Sequence, residues 1–245
     1  MQNYQAKLLR KEQIAPDVLF LKFELHPGQQ LEFIAGQYLI LLVPTPTGDP
    51  ARRLFSIASS DSQKESFELL VKLMPEGLAS DYFRGLEIGD SAYFQGPAGL
   101  FTLKSEDKQK IFLATGTGIA PVRSQISSYL EKDGLSELFL FWGLKNRGNL
   151  YLFEEWKNLM SSRPNFHFQI CLDQEPSFLG LDVDHFQRGR VDQGLADFFK
   201  ENKIPASRFN DYEYYLCGAR ETVESLKDFL EGLGVDKKNI FFDKF

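Results

Sequence analysis

Two rhythms of apolar and polar residues divide this chain, and the change falls near residue 104. Before that point the apolar residues gather in short runs, at 18–23, 38–43, 67–73 and 91–94. Glycine and proline, among them Gly36 and Pro44, separate several of these runs. Short apolar runs between turn residues are typical of β-strands. The first rhythm therefore predicts a small antiparallel β-barrel.

After residue 110 the apolar runs alternate with amphipathic stretches. The runs predict strands at 111–114, 138–142, 166–171 and 214–216, and the stretches predict helices at 122–131, 153–161, 194–201 and 221–233. Such alternation indicates a parallel sheet covered by helices. The polar segment 104–110 predicts a linker, which gives a first domain at 1–104 and a second at 108–245.

Composition and charge narrow the class of protein. At 245 residues, each half has the usual size of a self-supporting domain. A net charge of −6 gives no reason to expect nucleic acid or an anionic membrane as a partner. No run approaches the roughly 18 apolar residues that cross a bilayer, and the first residues lack the apolar segment of a secretory signal.

Cysteine and histidine usage excludes several kinds of site. Cys171 and Cys217 are the only cysteines, which argues against a disulfide framework and suits a reducing cytoplasm. Two cysteines cannot supply the four ligands of an iron–sulfur cluster. The three histidines are scattered without the spacing of metal ligands, so no metal site is predicted.

The segment 111–121 reads as a buried strand, a glycine turn and the start of a helix. Gly116 and Gly118 let the backbone turn tightly, and Pro121 suits the first position of a helix. A helix N-terminus beside such a turn is suited to a pyrophosphate. Pro121 stands where the dinucleotide fingerprint has its third glycine. The interpretation that this is an ordinary turn without a ligand therefore remains possible.

A second candidate site lies upstream. Arg53 and Ser56, on a predicted strand, offer a guanidinium and a hydroxyl to one extended ligand. Further on, Gly77 permits close approach of the backbone, and Ser80 is predicted to cap a helix N-terminus suited to an anion. Asp81 in the first turn already offsets part of the positive charge at that helix N-terminus, which weakens the argument from charge.

Taken in order, these motifs resemble one known family. The chain is similar to the ferredoxin–NADP⁺ reductase superfamily, which includes flavin reductases and the reductase components of ring-hydroxylating oxygenases. The matching positions are Arg53-x-Phe55-Ser56, Gly77-x-x-Ser80, Gly89-Asp90, Gly96-Pro97-x-Gly99-x-Phe101, Gly116 to Pro121 and Cys217-Gly218. The resemblance implies an N-terminal six-stranded antiparallel Greek-key barrel that binds FAD, followed by a Rossmann-like parallel-sheet domain that binds NAD(P).

The resemblance also implies roles in the first domain. Arg53 would contact the pyrophosphate of the flavin, Phe55 would lie against the isoalloxazine ring, and Ser56 would hydrogen-bond near its N5. The amides of Leu78, Ala79 and Ser80 would take the remaining phosphate charge, which favours FAD over FMN. The other residues implied to bind the flavin are Leu54, Val71, Lys72 and Gly77. For Phe55 a core position stays open, in a chain with 23 phenylalanines.

In the second domain, the resemblance implies a nicotinamide nucleotide whose pyrophosphate lies on the glycine turn. The binding residues would be Thr115, Gly116, Thr117, Gly118, Ile119 and Pro121. Cys217 and Gly218 would lie beside the nicotinamide, at the edge where open α/β sheets bind ligands. A simple core role for Cys217 stays open, since free cysteine is often buried.

The choice between NADH and NADPH depends on residues near the adenosine ribose. Relatives specific for NADPH usually carry serine and arginine just after the third strand of this domain, where this chain has Asp173 and Glu175. Both carboxylates would repel a 2′-phosphate and could accept a hydrogen bond from a free 2′-hydroxyl, so NADH is favoured. Nearby cations argue the other way if they fold back to this site: Lys145, Arg147, Arg188 and Arg190.

The aromatic chain end has two interpretations. Resemblance to reductases that end in a glutamate, a basic residue and a phenylalanine implies that Phe245 packs near the flavin and takes part in catalysis, although Asp243 replaces the glutamate. A frayed surface end is the other interpretation.

The sequence thus predicts a flavoprotein oxidoreductase. Hydride would pass from NAD(P)H to FAD, with Ser56, Cys217 and Phe245 as catalytic residues, and electrons would pass on to an acceptor. A ferredoxin, a flavodoxin, an oxygenase component and free flavin all stay open as that acceptor. Two alternatives remain: a flavin reductase that releases reduced flavin, and a redox-sensing module without turnover.

Overall fold

A computed structural model describes all residues from 1 to 245, and they form two compact units. The barrel unit comprises Met1–Leu103 together with Arg123–Tyr129. The sheet unit comprises Lys104–Val122 together with Leu130–Phe245. None of the helices combines the length and the apolar character needed to cross a membrane.

The barrel unit contains one six-stranded antiparallel sheet, which confirms the predicted fold of the first half. Its elements are β1 (Gln2–Ala15), β2 (Val18–Leu25), β3 (Tyr38–Val43), β4 (Ala51–Ser56), β5 (Ser66–Lys72), α1 (Leu78–Gly85) and β6 (Ser91–Ala98). The strand order is β4-β3-β6-β1-β2-β5, and every pairing is antiparallel. A bridge between Ile57 and Leu69 joins the continuation of β4 to β5, so the two edge strands meet and the sheet closes.

Three phenylalanines occupy the centre of the barrel. Phe23, Phe67 and Phe94 are fully buried, and their ring centroids lie 5.0–5.4 Å apart. Aromatic pairs at this spacing contribute about 0.5–1.5 kcal/mol each beyond the area that they bury. The apolar runs predict these strands because inward side chains recur at every second position.

The sheet unit contains a six-stranded parallel sheet, which confirms the predicted parallel arrangement and includes the four predicted strands. Its strands are β7 (Gln109–Thr115), β8 (Leu138–Leu144), β9 (Phe166–Leu172), β10 (Phe186–Arg188), β11 (Tyr212–Gly218) and β12 (Ile240–Lys244). Its helices are α2 (Ile119–Glu131), of which Arg123–Tyr129 belongs to the barrel unit, α3 (Phe153–Ser162), α4 (Val191–Glu201) and α5 (Arg220–Gly232). The order is β10-β9-β8-β7-β11-β12, so the carboxyl ends of all strands lie along one edge.

Helices cover both faces of the parallel sheet, as β9 illustrates. Phe166 lies 5.6 Å from Trp156 of α3, whereas Cys171 lies directly beneath Gly194 of α4. Positions 166 and 171 have opposite parity, and successive strand residues point to opposite faces. The buried sheet therefore reads as nearly continuous apolar runs, which is why its strands were predictable.

The predicted linker is bound to the sheet unit along its length. The Lys104 backbone N–H donates to the Tyr215 hydroxyl at 2.9 Å, and Lys108 Nζ donates to Asn239 Oδ1 at 2.9 Å. Ser136 Oγ donates to the Glu106 carbonyl at 2.7 Å. The backbones of Lys104 and Glu106 and the side chain of Lys108 thus anchor this segment.

Three strands are not predicted from the sequence: β1, β12 and β10, whose three residues Phe186–Arg188 form no apolar run. Only one face of β1 is buried, through Tyr4, Ala6 and Leu8, and polar residues alternate with them, so no apolar run marks it. At the other end, β12 pairs in parallel with β11. The chain end is therefore an edge strand, which corrects the alternative of a frayed terminus.

Candidate functional site

The ends of β7 and β11 lie in very close contact. A Cβ on Gly118 would lie 2.3 Å from the Cys217 carbonyl oxygen, and a Cβ on Gly218 would lie 2.1 Å from Thr115 Oγ1. Only glycine fits at either position. Because β7 has β8 on one side and β11 on the other, this contact marks the point where the strand order reverses, at which open α/β sheets bind their ligands.

The glycine turn itself is a single 3₁₀ turn, Gly116–Gly118, that runs directly into α2. Gly116 has φ +52° and open space where a Cβ would stand. The helix begins at Ile119, so Pro121 is its third residue and does not open it, contrary to the sequence expectation. The first turn of α2 carries no acidic side chain, so no carboxylate of that turn offsets the partial positive charge at the helix N-terminus.

Two aromatic residues hold the turn from below. Trp142 Nε1 and the Tyr151 hydroxyl each donate to the Gly116 carbonyl oxygen at 3.0 Å. Trp142 is fully buried, Tyr151 is 6% exposed, and their rings meet edge to face at 4.7 Å. Neither residue is predicted from the sequence, because nothing in a strand or loop pattern identifies a distant carbonyl as a partner.

Cys217, at the end of β11, is a buried and protonated thiol. Burial raises the pKa of Cys217 well above its usual value, and the nearby carboxylate of Asp243 raises it further. Burial also raises the pKa of Asp243, which pairs in register with Cys217 on β12. Cys217 can therefore pack against a ligand as a neutral group, and it is not a nucleophile at neutral pH.

Phe245 lies at the same edge, held by its backbone. Its N–H donates to the Gly218 carbonyl at 3.3 Å, and its carbonyl accepts from the Arg220 N–H at 3.2 Å. The ring is 64% exposed. The structure thus brings the glycine turn, Cys217 with Gly218, and Phe245 together in the sheet unit.

The loop after β9 is organised around a buried glutamate. Glu175 is 4% exposed, and its carboxylate accepts from the Arg147 backbone N–H at 2.8 Å and from Arg147 Nε at 3.0 Å. The backbone hydrogen bond from Arg147 is the main cause of a lowered Glu175 pKa, and the Arg147 side chain adds to it. Glu175 is therefore not the free acceptor that the sequence suggested, because Arg147 occupies both of its oxygens.

The other charges near this loop have different surroundings. Arg188 Nη1 donates to the Glu175 carbonyl at 3.1 Å, and its guanidinium lies 4.6 Å from the centre of the Phe178 ring. Asp173 and Lys145 are exposed, at the carboxyl ends of the neighbouring strands β9 and β8. Arg190 pairs with Asp192 at 3.5 Å.

In the barrel unit, the edge strand β4 carries an exposed arginine. Arg53 is exposed, and its Nη1 donates to the Arg52 carbonyl at 2.9 Å. Ser56 ends the strand and is half-buried. The ring of Phe55 lies 5.1 Å from that of Phe83, which brings β4 against α1.

The helix α1 begins at Leu78 after Gly77, so the expectation that Ser80 caps it is wrong. Ser80 is the third helical residue, and its Oγ accepts from the Met74 N–H at 2.8 Å. The first intrahelical bond runs from the Asp81 N–H to the Gly77 carbonyl. Three N–H groups therefore precede it without an intrahelical acceptor, those of Leu78, Ala79 and Ser80.

The remaining residues predicted to contact the flavin differ in how exposed their side chains are. The Val71 side chain is 1% exposed and belongs to the core, so only its backbone can reach a ligand. Lys72 is exposed and lies 3.8 Å from Asp17, and Leu54 is 59% exposed. Asp81 forms an ion pair with Arg84 at 2.6 Å, which offsets its charge at the helix start.

Two domain families match the chain. The oxidoreductase FAD-binding domain family matches residues 5–103, and the oxidoreductase NAD-binding domain family matches residues 112–228. These two matches span both of the candidate binding regions just described.

Similar proteins align with nearly the whole of this chain. Ferredoxin–NADP reductase B of Sorangium cellulosum (strain So ce56) is 28% identical over 245 residues, which cover 99% of this chain and 97% of that protein. The toluate 1,2-dioxygenase electron transfer component of Pseudomonas putida is 27% identical over 99% of this chain and 68% of its own length. A solved structure, the cytochrome P450 reductase GcoB of Amycolatopsis, superposes with a TM-score of 0.85 and 27% identity over 100% of this chain and 70% of its own.

Proposed function

The chain belongs to the ferredoxin–NADP⁺ reductase superfamily and carries electrons from NAD(P)H through FAD to an acceptor; we propose that its donor is NADH and its acceptor a separate redox protein. The observation that carries this proposal is the pairing of two anion-suited sites in the barrel unit with a glycine turn at the switch point of the sheet unit.

Residues 1–104 form the FAD-binding domain of this proposal. Arg53 binds the flavin pyrophosphate, because its exposed guanidinium can donate two parallel hydrogen bonds to one phosphate. The free N–H groups of Leu78, Ala79 and Ser80 take the remaining phosphate charge. A cofactor with two phosphates, FAD and not FMN, fits this pair of sites.

When bound, the flavin supplies a centre that accepts two electrons together and can release them one at a time. Phe55, on β4, packs against the isoalloxazine ring. The Phe83 ring, whose centre lies 5.1 Å from that of Phe55, fixes the orientation of the Phe55 ring. Ser56 donates from its hydroxyl to the ring near N5. Leu54, Val71, Lys72 and Gly77 complete the contacts.

Residues 108–245 form the NAD(P)-binding domain. Thr115, Gly116, Thr117, Gly118, Ile119 and Pro121 receive the pyrophosphate of the nucleotide. Cys217 and Gly218 adjoin the nicotinamide, and the protonated thiol adds no charge to repel or trap a hydride. Phe245 acts at the same edge, where its backbone is bound to Gly218.

The preference for NADH rests on how the cations beyond β8 and β9 are used. Arg147 is paired with Glu175, and Arg188 is held by the Glu175 carbonyl and the Phe178 ring. Asp173 is an exposed carboxylate that can accept from a free 2′-hydroxyl and repels a 2′-phosphate. A dianion at this position would have to displace hydrogen bonds that already exist, whereas a hydroxyl would not.

Anaerobic titration of the purified protein tests the donor. We expect NADH to bleach the flavin band with a kcat/KM at least about tenfold higher than NADPH, which is about 1.4 kcal/mol of discrimination. An equal or higher value for NADPH would reject the preference for NADH and leave the oxidoreductase assignment intact.

The acceptor is tested by the state of the flavin. FAD that copurifies in a 1:1 ratio and is reoxidised by an added ferredoxin or oxygenase component supports a separate redox protein as acceptor. A colourless protein that reduces added FMN would replace this proposal by a flavin reductase. Both cysteines are free and buried, which suits the reducing cytoplasm that we include in the proposal.

A further inference from the structure

The Gly116 carbonyl oxygen accepts three hydrogen bonds, and only one of them comes from the turn itself. The Ile119 N–H closes the 3₁₀ turn. The other two donors are the Trp142 indole and the Tyr151 hydroxyl, each at 3.0 Å. A peptide oxygen has two lone pairs, so this acceptor is saturated.

Saturation of this oxygen fixes the direction of the next N–H group. A trans peptide is planar, and its N–H points to the side opposite its carbonyl. Because Trp142 and Tyr151 draw the Gly116 carbonyl toward the buried side of the turn, the Thr117 N–H points away from them. That N–H has no acceptor within the structure.

Glycine by itself does not hold this orientation. Gly116 has φ +52° and nothing within 4 Å of its Cβ direction, and a glycine backbone reaches many conformations at little cost. Two buried donors, on β8 and on the loop before α3, add to the restraint that the Ile119 N–H places on this carbonyl. We propose that Trp142 and Tyr151 are positioning residues that aim the Thr117 N–H at the pyrophosphate of the nicotinamide nucleotide, an inference that rests on the proposed function.

A purely structural role predicts a different result. If the two hydrogen bonds only stabilise the fold, their loss lowers the melting temperature and leaves nucleotide binding unchanged. If they position the N–H group, their loss weakens binding of a pyrophosphate and leaves the chemical step alone. The two roles therefore separate in KM and kcat.

Tyr151→Phe is the main variant, because it keeps the ring that meets Trp142 at 4.7 Å and removes only the hydroxyl. Tyr214→Phe is the matched control. The Tyr214 hydroxyl is also buried in the sheet unit and donates to a backbone carbonyl, that of Phe209, at 2.8 Å. Trp142→Phe removes the other donor and serves as a second variant if Tyr151→Phe folds poorly.

The holoenzyme is assayed with NADH and ferricyanide, and the Kd of ADP-ribose is measured by calorimetry. We expect Tyr151→Phe to raise both the KM for NADH and the Kd for ADP-ribose by about five- to tenfold, with kcat within twofold, since one buried hydrogen bond changes binding by that order. Tyr214→Phe should change the melting temperature by a similar amount and neither binding constant.

The double variant sharpens the test. Tyr151 and Trp142 share one acceptor. We therefore expect the double variant to weaken ADP-ribose binding by a factor that differs from the product of the two single effects. Binding constants in Tyr151→Phe equal to those in Tyr214→Phe would overturn the inference. Failure of the unaltered protein to oxidise NADH or NADPH would instead refute the proposed function.

Discussion

In the proposed function each of the two units binds a phosphate group, and their donors differ in part. In the barrel unit the donors are an exposed arginine on an edge strand and the open first turn of a short helix. In the sheet unit they are backbone amides in a turn that is locked against the neighbouring strand, while the nearby Arg147 is already paired. In the barrel unit the arginine side chain can be replaced without moving the backbone. The site in the sheet unit depends on backbone positions that leave no room for change.

The largest expected effect is at the locked turn. Gly118→Ala would place a Cβ 2.3 Å from the Cys217 carbonyl, a contact that backbone must move to relieve. We expect the free energy of unfolding to fall by about 3 kcal/mol and NADH oxidation to fall about a hundredfold. Gly232→Ala, which meets nothing within 4 Å, is the control and should be neutral or slightly stabilising in thermal unfolding. A Gly118→Ala protein with the stability and activity of that control would contradict the contrast.

The next effect is at the exposed arginine. Arg53→Gln should weaken FAD binding by about 10- to 100-fold, because a hydrogen bond from a charged group to a phosphate is worth about 1.5–3 kcal/mol. Its melting temperature in the absence of flavin should not change. Apoprotein titrated with FAD gives the constant, and Arg52→Gln, an exposed neighbour that points to the other face of β4, is the control. Equal losses in both variants would mean that general surface charge holds the cofactor.

A smaller effect, on the preference between NADH and NADPH, is expected at the ion pair of Arg147 and Glu175. Glu175→Gln keeps the shape of the side chain and removes its charge, so Arg147 becomes available to a 2′-phosphate. We expect the ratio of kcat/KM for NADH to that for NADPH to fall about tenfold, through the term for NADPH. Asp184→Asn makes the same change of charge in the same exposed loop and should leave the ratio alone. A ratio unchanged in Glu175→Gln would show that Arg147 does not govern the choice of donor.

The smallest effect concerns the thiols, which belong only to the sheet unit. Burial raises the pKa of Cys171 to about 12 and that of Cys217 well above its usual value. At pH 8 both groups are therefore thiols and not thiolates, and the reactive form appears only as the pH rises toward those values. We expect almost no reaction with a disulfide reagent in the native protein and two equivalents in guanidinium. One rapid equivalent in the native state would mean that Cys217 is more open than its burial indicates.

The sequence was sufficient for elements that repeat a pattern and insufficient for partners that are distant in the chain. Four strands of each sheet follow from apolar runs: β2, β3, β5 and β6 in the barrel unit, and β7, β8, β9 and β11 in the sheet unit. By contrast, β1 was missed because polar residues face solvent from every second position. The cap of α1 was misplaced because Ser80 has the right chemistry for a cap but turns back to Met74.

The candidate site shows the same division. The glycine turn was visible as a motif, yet the reason for Gly118 is the Cys217 carbonyl, about a hundred residues away in the chain. Likewise Glu175 suggested a ligand contact, and its actual partner is Arg147 on the preceding strand connection. Charge can be read from a sequence, whereas its use by another residue cannot. The roles of Ser56, Cys217 and Phe245 in catalysis stay predictions.

The assignment of Arg123–Tyr129 to the barrel unit has a practical consequence for dissecting the molecule. Arg123 forms an ion pair with Glu68 at 2.8 Å, and Gln125 Nε2 donates to the Phe101 carbonyl at 2.6 Å. A fragment that stops at residue 103 would lose both partners and leave the Glu68 carboxylate with Lys22 at 3.7 Å as its remaining cation. Chimaeras between related reductases should therefore transplant the middle of this helix together with the barrel, since a single crossover in the connecting segment would divide a structural unit.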